Sequence, residues 1–125
     1  MIDHVEIYVG DLSHAVAFYR KALAPLGYTL RVEGKPSGFG RAGDALNFWL
    51  GEGGPSSPRP HLAFQCKTRS EVDEVHRAAL AAGGVDNGAP KLLPRIHPDY
   101  YAGFVRDPDG HNVEFVCHRP GAAAP

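Results

Sequence analysis

The sequence is poor in sulfur, with two cysteines, Cys66 and Cys117, and one methionine, Met1. Two cysteines so placed make neither a metal-ligand motif nor a disulfide framework. Each lies in an alternating apolar stretch and reads as a small buried hydrophobe. Charge of one sign is also lacking: 13 lysines and arginines stand against 14 acids, a net charge of -1. With no basic run to break that balance, the electrostatic footprint of a nucleic-acid binder is missing. Apolar runs last a few residues, far short of a bilayer span. Strand-like alternation begins directly after Met1, so no signal peptide is expected, and the expected compartment is the cytoplasm. No nucleophile elbow, P-loop or dinucleotide fingerprint is present.

What the chain does contain is an internal repeat. Residues 2–9, IDHVEIYV, alternate, with Val5, Ile7 and Val9 on one face and His4, Glu6 and Tyr8 on the other. Asp11 and Ser13 offer cap oxygens for an amphipathic helix over about 12–24, stopped by Pro25 and Gly27. Strand candidates follow at 28–33, 38–41 and 45–50. After a polar linker, GEGGPSSPRP, the pattern restarts. HLAFQCK, residues 61–67, alternates; Ser70 and Asp73 offer a capping box for a helix to about Ala82. A weak strand near Val85, a proline-rich loop from Asn87 to Asp99, and strands at 101–106 and 112–117 complete the second copy. Asp107-Pro108-Asp109-Gly110 marks the turn between those last two strands.

The order is therefore βαβββ, linker, βαβββ. This predicts an α+β fold in which two tandem modules form a curved, partly closed mixed sheet around a cleft, with helices outside. One domain is expected over 1–120: module one over about 1–52, a linker over about 53–60 and module two over about 61–119. Residues 121–125 form a tail expected to be disordered.

Aligning the copies pairs His4 with His61 and Asn47 with Glu114. Strand parity places all four on the faces the helices leave uncovered. Two imidazoles and a carboxylate converging there suit a divalent cation such as Zn(II), Ni(II), Mn(II) or Fe(II). Taken singly, either histidine also reads as a half-buried, hydrogen-bonded strand residue. Glu114 on an inward face needs a partner: a cation, an arginine or water. Tyr8 and Trp49 share the uncovered faces and serve either as pocket walls or as ordinary packing. His97, Tyr100 and Tyr101 lie where a loop could fold over the site, and His97 has the ordinary pKa of a general acid or base. Arg106, just before the turn, reads as a turn-pairing residue or a substrate clamp. His14, His76, His111 and His118 are expected at the surface.

The segments IDHVEIYVGDLSHAVAFYRKAL, PHLAFQCKTRSEVDEVHRAALAAGG and FVRDPDGHNVEFV resemble the vicinal-oxygen-chelate superfamily of glyoxalases, bleomycin-resistance proteins and extradiol dioxygenases. The likeness runs from residue 2 to about 119. It implies a metal held by the first-strand and last-strand residues of each module, here His4, Asn47, His61 and Glu114. Glyoxalase I-like members carry a glutamate where the alignment puts Asn47. The resemblance implies an isomerase or lyase acting on a small oxygenated substrate through a metal-stabilised enolate; Glu114, and His97 from its loop position, are the candidate catalytic groups. The alternatives are a metal-free binder of small molecules of the bleomycin-resistance type, and a small dioxygenase. A homodimer is expected. Whether the modules of one chain face each other or face a partner is open at this stage.

Overall fold

The computed structural model describes residues 1–121; most of the expected tail, 122–125, lies outside the described residues. Module one runs β1 (Val5–Val9), α1 (Leu12–Ala22), a single 3-10 turn (Ala24–Leu26), β2 (Tyr28–Val32), β3 (Ser37–Arg41) and β4 (Phe48–Glu52). Module two runs β5 (Leu62–Gln65), α2 (Arg69–Ala81), β6 (Val85–Leu92), β7 (Tyr101–Arg106) and β8 (Asn112–Cys117). Each module makes its own four-stranded mixed sheet, ordered β1-β4-β3-β2 and β5-β8-β7-β6. The first and last strand of each module pair in parallel, and the rest pair antiparallel. The expected α+β pair of βαβββ modules is what the chain adopts. Within one chain, however, the sheets stay separate and neither closes into a barrel.

Helix α1 begins because the Asp11 carboxylate accepts the His14 N–H, and Arg20 and Lys21 complement its C-terminal dipole. Gly27, at φ 79°, turns the chain into β2 in a conformation that side chains disfavour. Helix α2 is capped two residues earlier than the sequence implied. Thr68, not Ser70, accepts the Glu71 N–H, and the Glu71 carboxylate returns to the Lys67 N–H. The arrangement is a variant of the capping box, in which the longer Glu71 side chain reaches back past the cap to the N–H of the preceding residue. Strand β6 also corrects an expectation, since the chain is a strand to Leu92 where a loop was foreseen from Asn87. It is an edge strand with two register shifts and Pro90 within it, so its residues show no alternation to read.

The covered faces of both sheets share one core. Ile7 and Val9 of β1, Phe48 and Leu50 of β4, Phe64 of β5, and Val113 and Phe115 of β8 close on Phe18 and Tyr19 of α1 and Val72 and Val75 of α2. The Phe48 and Phe64 rings meet edge to face at 5.2 Å, and Tyr28 meets Phe64 the same way at 5.7 Å. Each fully buried side chain of this kind contributes roughly 1.5–3 kcal/mol by leaving water. Cys66 and Cys117 are buried free thiols, as expected. Two of the histidines expected at the surface are buried instead: His76, against Asp86 and the Phe104 carbonyl, and His111, against Asp107. The covered faces of both sheets meet in one core, and among the described residues His4 forms no close group with His61 and Glu114. No helix among the described residues is long and apolar enough to cross a membrane.

Candidate functional site

Glu114 occupies β8, flanked by Ala63 of β5 and Phe104 of β7 in the strand register. It is 4% exposed although it carries a carboxylate on the uncovered face. Its partners are a histidine and a tyrosine. His61, just before β5, brings Nε2 to 3.0 Å from Oε1. Tyr100 donates its hydroxyl hydrogen to Oε2, and burial, then the bond to the carboxylate, pushes its pKa up to about 12.

The other ring nitrogen of His61, Nδ1, lies 2.8 Å from the Asn112 carbonyl oxygen. A carbonyl only accepts, so Nδ1 carries a hydrogen. In the neutral ring the Nε2 lone pair then faces Oε1, acceptor against acceptor. A proton or a cation between them satisfies both. A carbonyl bond at the remote nitrogen also fixes ring and tautomer as it does in metal-ligating histidines. The donor set of imidazole nitrogen and carboxylate oxygen therefore fits a divalent cation. Beside this pair lie Leu93, Ala102 and Val116, with Tyr100 and Phe104 packed on them. The His61 ring stands near-parallel to Phe104 at 6.5 Å.

His97 stands one layer further out. Its Nδ1 accepts the Asp99 N–H, so its Nε2 donates to His118 Nδ1 at 2.8 Å. The two imidazoles stack, and Tyr100 meets both edge-on, at 5.3 and 5.2 Å. His97 thus buttresses the tyrosine that holds Glu114, and both of its nitrogens are engaged.

Module one supplies His4, Tyr8, Asn47 and Trp49, in or beside the strands of the other sheet. His4 is exposed and bonded to Asp3 at 2.6 Å. The register Val5↔Phe48 matches Leu62↔Val113 in module two, so it makes Trp49 the counterpart of Glu114 and Asn47 the counterpart of Asn112. The expected pairing of Asn47 with Glu114 was two residues out of register, a slip that preserves parity and so leaves the pattern unchanged. Asn47 lines a cavity of about 350 Å³ at the junction of the modules, and His4, His61 and Glu114 do not line it. Trp49 has an indole N–H and no acceptor, so the position opposite Glu114 holds no ligand. Two pocket residues are also relocated. Tyr101 alternates to the covered face, where its hydroxyl donates to Asp73 of α2 at 2.6 Å and Arg69 stacks on its ring. Arg106 donates to the Gly110 carbonyl at 3.1 Å and so pairs within the turn.

Among the described residues, the group of three ligand-type side chains whose donor atoms lie within 4.8 Å of one another is Asp107, Asp109 and His111. His4 forms no such group with His61 and Glu114 within the chain. The aspartate–aspartate–histidine trio has the donor types of a cation site. Its carboxylates are already occupied, however. Asp107 accepts from the Tyr19 hydroxyl at 2.5 Å, His111 Nδ1 at 2.7 Å, and the backbone N–H groups of Asp109 and His111. Asp109 accepts the Gly10 N–H. In the sequence this segment reads only as a turn, and its Asp-x-Asp-x-His spacing is the signal it offers.

A profile of the Glyoxalase/Bleomycin resistance protein/Dioxygenase superfamily matches residues 1–115. Among solved structures, a glyoxalase/bleomycin resistance protein from Albidiferax ferrireducens is 25% identical, with 94% of this chain and 98% of that chain covered and a TM-score of 0.71. A glyoxylase/bleomycin resistance protein/dioxygenase domain from Frankia sp. is 22% identical over 98% of this chain and 94% of that one, TM-score 0.74. A family enzyme from Burkholderia phytofirmans shares the fold at 17% identity, covering 94% of this chain and 98% of that one, TM-score 0.73. With the tandem modules, their mixed sheets and the profile match in agreement, the chain belongs to the glyoxalase/bleomycin resistance protein/dioxygenase superfamily.

Proposed function

We propose that the protein is a metal-dependent enzyme of glyoxalase-like type, an isomerase or lyase acting on a small oxygenated substrate. The observation that carries this reading is the facing of His61 Nε2 and Glu114 Oε1 at 3.0 Å, with Nδ1 held by a carbonyl and Oε2 held by Tyr100. A divalent cation held there supplies Lewis acidity toward substrate oxygens and stabilises charge developing on an enolate. His61 and Glu114 are two ligands. The third is His4 of a second copy, because within one chain His4 stays exposed and forms no ligand group with His61 and Glu114. A homodimer that sets module one of each chain against module two of the other completes two equivalent sites. Ala63 and Phe104 beside Glu114 keep the floor small and apolar, and His97 holds Tyr100 in place.

The experiment is metal content after purification without chelator, followed by titration with Zn(II), Ni(II), Mn(II) and Fe(II). Stoichiometric metal in the wild type, lost in Glu114→Gln and in His61→Ala, supports the reading. Absence of metal binding, or binding unchanged by both substitutions, removes it in favour of a metal-free small-molecule binder, the reading that the exposed Tyr8 and half-buried Trp49 serve equally well.

A further inference from the structure

A cavity of about 460 Å³ opens beside the start of α2, and none of the residues assigned to the metal site lines it. Two segments wall it: the connection from β5 into α2, and the stretch that follows β8. Together they bring three cations to one place, Lys67, Arg69 and Arg119, with the hydroxyls of Thr68 and Ser70 between them. Among the described residues, no acidic side chain lines the cavity.

The acids nearby are engaged elsewhere. The Glu71 carboxylate accepts the Lys67 N–H, and Asp73 accepts the Tyr101 hydroxyl at 2.6 Å. Asp99 approaches Arg69 Nη2 only to 3.6 Å. Lys67 and Arg119 form no ion pair among the described residues. Like charges gathered around one cavity repel, and an anion between them turns that cost into attraction.

Arg69 is the confined member of the three. Its guanidinium lies over the Tyr101 ring, 5.5 Å from the centroid, and a Cβ at Gly121 would stand 2.8 Å from Nη1. Only a glycine lets the chain pass so close. Arg69 Nε is buried and has no acceptor among the described residues. A guanidinium fixed in this way, with one loose partner and one orphaned donor, is short of acceptors. The first N–H groups of α2, on Arg69 and Ser70, have no partner within the helix and add two further donors.

We propose that this cavity binds the phosphate group of a small phosphate ester. Such a group brings about two negative charges and three strong acceptor oxygens, which suits three cations and two hydroxyls. A carboxylate brings one charge and two oxygens, too few for this donor set. The volume lies within the roughly 300–1,000 Å³ of small-molecule sites, so the remainder of the ester has room beside its phosphate.

The test uses the full-length protein, stripped of metal and dialysed free of chelator. It is titrated at low ionic strength with inorganic phosphate, glycerol 3-phosphate and acetate, followed by isothermal calorimetry. Saturable one-to-one binding of phosphate and of the ester is expected, the ester at least as tight, with no binding of acetate. Lys67 and Arg119 are exposed, so Lys67→Gln and Arg119→Gln keep the fold by circular dichroism. Each should weaken binding of the ester by about tenfold, the loss of one charge-assisted hydrogen bond. Lys91→Gln removes an exposed lysine of β6 and should change nothing. Asp99→Asn should tighten binding, because it removes the carboxylate that competes for Arg69; damage to the fold does not mimic that gain. The site is overturned if the ester fails to bind at millimolar concentration, if acetate binds as tightly as phosphate, or if Lys91→Gln loses as much as Arg119→Gln. A fall in affinity in Asp99→Asn sinks it too. Metal is absent throughout, so these outcomes leave the metal reading to its own experiment.

Discussion

The hydroxyl of Tyr19, on the first helix, ends 2.5 Å from Oδ2 of Asp107, in the turn between the last two strands. One buried carboxylate thereby joins the modules, because its other donors, His111 Nδ1 and two backbone N–H groups, belong to module two. The same turn accepts Gly10 N–H on Asp109, and Arg59 of the linker donates to the Asp109 carbonyl. The geometry leading into β8, and so to Glu114, is set partly by module one.

Tyr19→Phe keeps the ring in the core and deletes one donor to a buried anion. The cost expected for a hydrogen bond to a charged group is about 1.5–3 kcal/mol. Urea denaturation should show a lowered midpoint with an unchanged slope. A midpoint equal to wild type would mean that Asp107 does not depend on the bond across the modules.

Stability should decline at alkaline pH. Burial pushes the Cys66 thiol from 9.0 up to about 12, and Tyr100 and Tyr101 rise from 10.0 to about 12. The folded chain then keeps protons that the unfolded chain releases, so unfolding becomes easier as pH rises from about 9 toward 12, and the contribution is complete below about 9. Denaturation midpoints at roughly pH 8 and pH 11 test this. Cys66→Ala should flatten the fall; an identical slope in the variant would assign it elsewhere.

His4→Ala and His61→Ala should each lose metal when purified alone. If ligands come from two copies, unfolding and refolding the variants together yields mixed dimers in which one site keeps both histidines. Metal content should therefore rise above that of either variant by itself. No recovery, in a mixture shown by light scattering to contain dimers, would place all ligands on one chain or remove His4 from the set.

Tyr100→Phe leaves Glu114 Oε2 without its donor. An outer-shell bond of this kind is worth about tenfold or more in metal affinity, so the dissociation constant for Zn(II) should rise by that order with the fold unchanged by circular dichroism. His118→Ala, which removes the partner of His97, should produce a smaller rise in the same direction. Unaltered affinity in Tyr100→Phe would make that bond a packing feature only.

Much of this protein is readable in one dimension, because alternation and helical period report burial residue by residue. The two βαβββ modules, the faces assigned to His61, Glu114, Tyr8 and Trp49, and the turn at Asp107–Gly110 all follow from local pattern. A pattern of period two is blind to a slip of two, so it paired Asn47 with Glu114 where the strand register pairs Trp49. It is silent on an edge strand such as β6, whose bulges and proline erase alternation, and it sends His76 and His111 to the surface because their partners, Asp86 and Asp107, act only once the chain has folded back. Only the tertiary structure decides that the two covered faces merge in one core. It also brings His61 and Glu114 together across neighbouring strands and leaves His4 exposed against Asp3, because strand pairing and chain reversal, not local pattern, set those distances.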